Sequence, residues 1–445
     1  MMRSEKRLGG PFWCRCLGLL MLMVLFLDIG PALASPPPDP VLEWIGVMND
    51  TVIQGGTSPL HTTRVVALVS ASVFDAVNGI DPQFKPLRVR PDVSRSASGR
   101  AAAIQAASAI LLRVYPAQSK RLVAHRSASL AALSAQEKAS SINAGIAWGQ
   151  NVADAIWAWR LTDGNAPAPP PFVGVFGIDG SPAAIGVWRP TPPPNAPGIG
   201  TQFATMTPWV LLRPSQFRPA PPLALDSPEL ASDISEIRTM GAYTGSARTA
   251  DQSELALFWA GNTALYWDRI ALQLAAKASL PLAENARLFA LLNVTMADAA
   301  IACFDGKYRY VSWRPIAAIR SGTAGFAPDP SWEPWLDFFP SSAPADPEYP
   351  SAHSSASGAA AFILASVFGE YTAFSVDSEV RPGTRSFASF SAAAAEIADA
   401  RVFGGIHFRT SCIRGNLLGR TVADYISKLA LRSVNDRDED EDSQH

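Results

Sequence analysis

The sequence predicts a mainly α protein: two helical-bundle subdomains joined by an irregular strap rich in proline and aromatic residues. Three observations carry this. Apolar residues recur every three to four positions through most of the chain after residue 40. No segment alternates apolar and polar residues strongly enough to read as a strand. Between 164 and 222 prolines recur too often for any regular helix to cross.

The first bundle is expected over 35–163. Residues 41–53, 62–78, 98–115 and 119–133 are rich in Ala and Leu and punctuated by Pro, Gly or Asn. Residues 137–160 follow, with Ile142, Ile146, Trp148, Val152, Ile156 and Trp159 near helical spacing. The strap, 164–222, carries Phe172, Phe176, Trp188, Phe203, Trp209 and Phe217 among its prolines. So many aromatics argue for a segment packed over helices rather than a loose linker. The second bundle, 223–433, is expected to hold helices at 229–240, 250–276, 284–304, 353–368, 387–403 and 407–431.

Composition narrows the function. The chain has 445 residues, 48% hydrophobic and 17% charged, which is too apolar for disorder. A net charge of −2, from 37 basic and 39 acidic residues, gives no basic surplus for nucleic acid. Four cysteines exclude a disulfide scaffold.

Residues 1–34 read as a secretory signal. Arg3, Lys6, Arg7 and Arg15 precede or open an uncharged apolar stretch ending at Leu27, and Ala32-Leu33-Ala34 is a cleavage pattern. An uncleaved anchor is the alternative. No later run is expected to reach the ~18 apolar residues of a membrane-spanning helix. Cys303 and Cys412 remain in the mature chain, as one bridge or as two buried thiols. Residues 434–445 read as a solvated acidic tail.

Three segments hold chemistry. Lys307 and Arg314, seven residues apart and followed by Pro315, would lie on one face of a helix and converge on an anion. Ser351, after Pro350, is a good N-cap, and the free amides of the helix it opens, starting with Ala352, would form an oxyanion cradle beside His353. Arg401 and His407 flank Gly404-Gly405, which can end one helix and fold Arg401 back beside His407. Cations, a helix N-terminus and two histidines together suit one tetrahedral oxyanion.

This order, K-x6-R-P, P-S-x-H, R-x5-H, resembles the vanadium-dependent haloperoxidases. They share a superfamily and an active site with the type 2 phosphatidic acid phosphatases and bacterial acid phosphatases. Residues 293–305 and the Gly186, Val187, Trp188 and Pro190 stretch extend the likeness. The resemblance implies that Lys307, Arg314 and Arg401 balance the anion's charge. Ser351 and the Ala352 amide would hydrogen-bond its oxygens. His407 would bind vanadate directly, and His353 would be the acid–base group. Hydrogen peroxide and a halide or small organic substrate would be the partners, with vanadate the cofactor and Lys307 polarising the activated oxidant. In a phosphatase the same His407 would be the nucleophile and His353 the proton donor to the leaving group. An oxyanion-binding protein without turnover is a third reading.

Four positions depart from the family pattern. Ala352 stands for a usual glycine and Ala400 for a usual serine. Ser411 replaces the aspartate expected one helical turn after His407, which would orient the imidazole. Asp346, five before Ser351, replaces an aromatic and would repel halide.

Overall fold

In the computed structural model the described residues are 39–174, 185–192, 195–323, 325–338 and 344–435. The signal segment, Phe176 and the acidic run from 436 lie outside them. Five helices form the first set: α1 (Pro40–Gln54), α2 (Pro59–Ile80), α3 (Gly99–Val114), α4 (Ser119–Leu133) and α5 (Ala139–Arg160). Their starts are built locally. Asp39 accepts hydrogen bonds from the amides of Val41 and Leu42, and Ser98 from that of Ala101.

The second set comprises α6 (Pro228–Met240), α7 (Ala250–Phe258), α8 (Thr263–Ala278), α9 (Leu282–Tyr310), α10 (Pro315–Ser321), α11 (Ala352–Phe368), α12 (Phe390–Phe403) and α13 (Arg409–Leu429). The two sets are joined through α9, which packs on both α2 and α11, while α11 lies along α13. One apolar core runs through both, from Trp44, Phe74 and Trp148 to Trp267, Phe289, Leu364 and Val422. Burial of this kind is the main force holding the helices together.

The strap's described parts are packed, as their aromatics suggest. Phe172 stacks on Trp188 at 5.5 Å, and Trp188 is fully buried. The amides of Trp209, Val210 and Leu211 all donate to the Asp298 carboxylate of α9, at 2.6–2.9 Å. That carboxylate satisfies three donors that an irregular segment would otherwise bury unpaired.

Four expectations need correction. Residues 250–276 are two helices, because the chain breaks at Trp259–Asn262. A Cβ on Gly261 would lie 2.6 Å from both the Tyr266 hydroxyl and the Glu379 carboxylate, and the Asn262 amide donates to that carboxylate. The stretch before α12 contains a hairpin, β1 (Phe374–Asp377) and β2 (Thr384–Phe387), with Phe374 opposite Phe387. Four-residue strands are too short for alternation to register, and this pair is held from outside by Phe374 stacking on Phe390 at 5.1 Å. Two helices, α2 and α9, are long and apolar enough to cross a membrane, but 94% and 100% of their apolar windows are buried inside the fold. Lys307 and Arg314 do not share a helix, as the site makes plain.

Candidate oxyanion site

Lys307 lies in the last turn of α9, which stops at Tyr310 because Val311 adopts a left-handed backbone, φ 50°. A β-branched residue rarely takes that conformation. It is fixed here by the strap: the Trp188 amide donates to the Val311 carbonyl at 2.7 Å, and the Trp313 amide to the Gly186 carbonyl at 3.1 Å. The chain therefore reverses and delivers Arg314 as the N-cap of α10, with Pro315 as its first residue. The two cations converge across a turn, not along a helix face.

Ser351 is the N-cap of α11, its hydroxyl accepting from the Ser354 amide at 3.4 Å. Ala352 and His353 supply the first two amides of α11, which have no partner inside the helix. The helix N-terminus is held against α13 by the Ser351 amide, which donates to the Ser411 carbonyl at 3.2 Å. Gly419 of α13 allows this approach: a Cβ there would sit 1.9 Å from the Ser355 carbonyl oxygen.

The Gly404-Gly405 turn behaves as its sequence suggests. Gly404 caps α12 and Gly405 has φ +78°. The amides of Ile406 and His407 then fold back onto the Arg401 carbonyl, at 3.2 and 3.3 Å.

These segments meet in a buried cluster. Lys307, Arg314, Ser351, Arg401 and His407 are each 3% exposed or less, and His353 is half-buried. Arg314 Nη1 lies 3.2 Å from His407 Nε2 and also donates to the Ile406 carbonyl. Arg401 Nη1 donates to the Trp259 carbonyl at 3.5 Å, while its Nε, though buried, has no partner among the described residues. His353 Nε2 lies 3.2 Å from the Gly261 carbonyl, so this nitrogen carries the proton and Nδ1 the lone pair. The break between α7 and α8 is thus what exposes the two carbonyls that hold Arg401 and His353.

Two carboxylates complete the cluster. Glu348, 1% exposed, was not among the expected site residues. Its Oε1 lies 2.8 Å from His407 Nδ1 and accepts from the Phe408 amide at 3.0 Å. Glu348 therefore occupies the orienting role that the sequence reading assigned to a carboxylate at Ser411. Ser411 instead donates to the Glu348 carbonyl, at 3.4 Å. Nothing in the spacing of Glu348 from His407, across 59 residues, could signal this pairing. Asp346 also differs from expectation. Its Oδ1 lies 2.8 Å from Lys307 Nζ and 2.9 Å from Arg314 Nη2, so it is a paired charge rather than a free anion facing a halide.

Burial governs the protonation of these groups. It pushes His407 well below the usual histidine value, with Arg314 and Lys307 adding to the effect. His353 is pushed down likewise, by burial and then by Arg401. Both imidazoles are neutral at neutral pH. In the neutral form His407 Nδ1–H donates to the Glu348 carboxylate, and the Nε2 lone pair accepts from Arg314. Burial raises Glu348 to about 7 against the pull of Arg314 and Lys307, and lowers Arg401 to about 10. Cys303 and Cys412 are buried free thiols nearby.

An oxyanion fits this donor set. Arg401 Nε is, among the described residues, an unpaired buried donor, the Ala352 and His353 amides have no partner inside α11, and His407 Nε2 stands among cations. Among the described residues no group of three His, Cys, Asp or Glu side chains could encircle a metal cation.

A mainly helical fold around a cradle of this kind defines a class of oxyanion-handling proteins, and the likeness to known members is direct. The family model of the VCPO second helical-bundle domain matches residues 287–436. The crystal structure described as the first bacterial vanadium-dependent iodoperoxidase superposes with a TM-score of 0.76 at 26% identity, covering 90% of this chain and 99% of that one. Apo and holo structures of a bacterial vanadium-dependent chloroperoxidase superpose with TM-scores of 0.60, at 15% and 16% identity, over 83% of this chain and 94% and 92% of theirs. No curated protein sequence matches. These matches support assigning the chain, as a haloperoxidase-like protein, to the superfamily of the vanadium-dependent haloperoxidases.

Proposed function

We propose that the protein is an exported haloperoxidase that holds vanadate on His407 and oxidises a halide with hydrogen peroxide. The observation that carries this reading is the placement of His407: a buried imidazole with Nδ1 2.8 Å from the Glu348 carboxylate and Nε2 3.2 Å from Arg314 Nη1, among the cations of the cradle. When bound, vanadate would supply the Lewis-acid centre that activates peroxide. It would be held by His407, Arg401, Arg314, Ser351 and the Ala352 amide.

The chain's own residues do the rest. Glu348 fixes the imidazole orientation and keeps the lone pair on Nε2. Arg401 and Arg314 neutralise oxyanion charge in a site shielded from water, where such contacts are strongest. His353, half-buried at the N-terminus of α11, is placed to hold and pass protons through Nδ1 while Gly261 anchors Nε2. The 26% identity to an iodoperoxidase over nearly its full length favours peroxidase over phosphatase chemistry and makes iodide the first halide to test.

The experiment is halide-dependent halogenation of a phenol dye with added vanadate and peroxide, run beside phosphate release from an aryl phosphate. Halogenation that requires vanadate supports the proposal. Phosphate release without halogenation assigns the site to a phosphatase using His407 as nucleophile, and neither activity leaves an oxyanion-binding protein. For export, N-terminal sequencing of secreted protein should find Ser35 first; membrane-bound protein beginning at Met1 would overturn that part.

A further inference from the structure

We propose that Asp346 is an internal counter-anion of the cradle that sets how tightly it holds an oxyanion, and that Lys307 serves the site through charge and loop anchoring rather than as an anion ligand. The inference rests on the reading of the cradle as an oxyanion site. An ammonium has three N–H groups. Lys307 Nζ, fully buried, faces three oxygens: Asp346 Oδ1 at 2.8 Å, the Pro347 carbonyl at 2.5 Å and the Glu348 carbonyl at 3.1 Å. Its donors are all engaged by the 346–348 loop, so none is left for a bound anion without breaking one of these contacts.

Arg314 is clamped by the same residue twice. Its Nε donates to the Asp346 carbonyl at 3.0 Å and its Nη2 to Asp346 Oδ1 at 2.9 Å. Only Nη1, on His407 Nε2 and the Ile406 carbonyl, faces the position an anion would take. Arg401 is the opposite case, with no carboxylate partner and an unpaired buried Nε. The three cations therefore have unequal duties. Lys307 and Arg314 hold the loop that carries Glu348 to His407, Arg314 keeping only Nη1 for an anion, while Arg401 is free to bind. Because Asp346 lies within 3 Å of two of them, its charge offsets much of the field they would otherwise exert on an anion.

The test is calorimetric titration of the full mature protein with inorganic phosphate and with orthovanadate, comparing wild type with Asp346→Asn. The amide keeps an acceptor for Lys307 and Arg314 but removes the charge, so both anions should bind about tenfold tighter or more. Unchanged or weaker binding by a folded D346N protein overturns the proposal. Where D346N does not fold, nitrogen-15 NMR of wild-type side chains decides instead. Phosphate should shift the Arg401 Nε signal and leave Lys307 Nζ in place, and an equal shift of Lys307 Nζ refutes the division of roles. Binding by D346N when wild type binds neither anion would uphold the role of Asp346 while refuting the proposed function. Binding by neither protein refutes both.

Discussion

The helix pair α3–α5 and the helix pair α11–α13 are built on the same device and used for different ends. In the first, Gly145 and Gly149 let α5 approach α3 so closely that a Cβ would meet the carbonyl oxygens of Ser98 and Ala102 at 2.3 and 2.4 Å. In the second, Gly415 and Gly419 bring α13 against α11, with the Ser351 and Ser355 carbonyls at 2.5 and 1.9 Å from the same virtual atoms. Around α3 the buried groups are mostly apolar, alanines with Ile104, Ile110 and Leu111, and the buried polar ones, Ser108 and Gln105, carry no charge; Gln105 bonds Gln150 of α5, outside the cradle. Around the start of α11 close packing confines three cations, two carboxylates and two histidines, so a shift of the helix is also a shift of chemistry. Tight packing is general in this molecule; what separates the regions is whether the charged groups and histidines of the cradle depend on it.

The largest expected effects lie within the second region. His407→Ala should abolish both vanadate binding and turnover, because no other lone pair stands at that point. His353→Ala should still bind vanadate while turnover falls ~100- to 10,000-fold, the usual cost of losing an acid–base group. Equilibrium binding beside steady-state rates separates the two, and equal loss of binding would break the assignment.

Next in size is the carboxylate behind His407. Glu348→Gln should weaken vanadate or phosphate binding by ~10- to 100-fold, the range for partners that orient a ligand histidine. Ser411→Asp should not restore or improve binding, because it would place a second buried carboxylate beside Glu348. Calorimetry on the two variants checks both, and a gain with Ser411→Asp would show that Glu348 leaves the imidazole under-held.

Gly149→Ala and Gly419→Ala sharpen the comparison directly. Each overpacks a helix contact and should cost ~1–3 kcal/mol of stability in denaturant melts. Only Gly419→Ala should also weaken phosphate binding, since it moves the N-terminus that carries Ser351 and His353. Equal effects on binding would mean that the two pairs are not functionally distinct.

Least bearing on the site is a pH dependence of stability. Asp268, buried on α8 and bonded to Asn293 at 3.0 Å, is raised by burial from 3.8 to about 7. A carboxyl raised on folding keeps its proton where the unfolded chain has released it. Its ionisation therefore costs stability progressively from about pH 4 to about pH 7, with no further change above. Asp268→Asn removes that cost, so the variant's Tm should exceed wild type above pH 7 and match it near pH 4. A pH-independent difference would show that Asp268 is not the titrating group.

Much of this protein was legible without coordinates. Helical spacing over eleven stretches covered twelve of the thirteen helices, the stretch that divides into α7 and α8 covering both. It missed α10, too short for a period, and the hairpin, held only by its packing on Phe390. Arg314, Ser351, His353, Arg401 and His407 stood out because each sits within a few positions of a proline or glycine that sets a turn or helix end, and Lys307 because of its seven-residue spacing from Arg314.

The sequence alone determined the class, the helices and the residues that carry charge to the cradle, because periodicity, caps and turn residues act within a few positions of chain. Only the tertiary structure decided how those charges are shared. Glu348 finds His407 and Asp346 finds Lys307 because α9, α11 and α13 pack together and draw one loop between them. A buried charge takes whichever partner lies within about 3 Å, and that proximity is a property of the packed chain rather than of any local pattern.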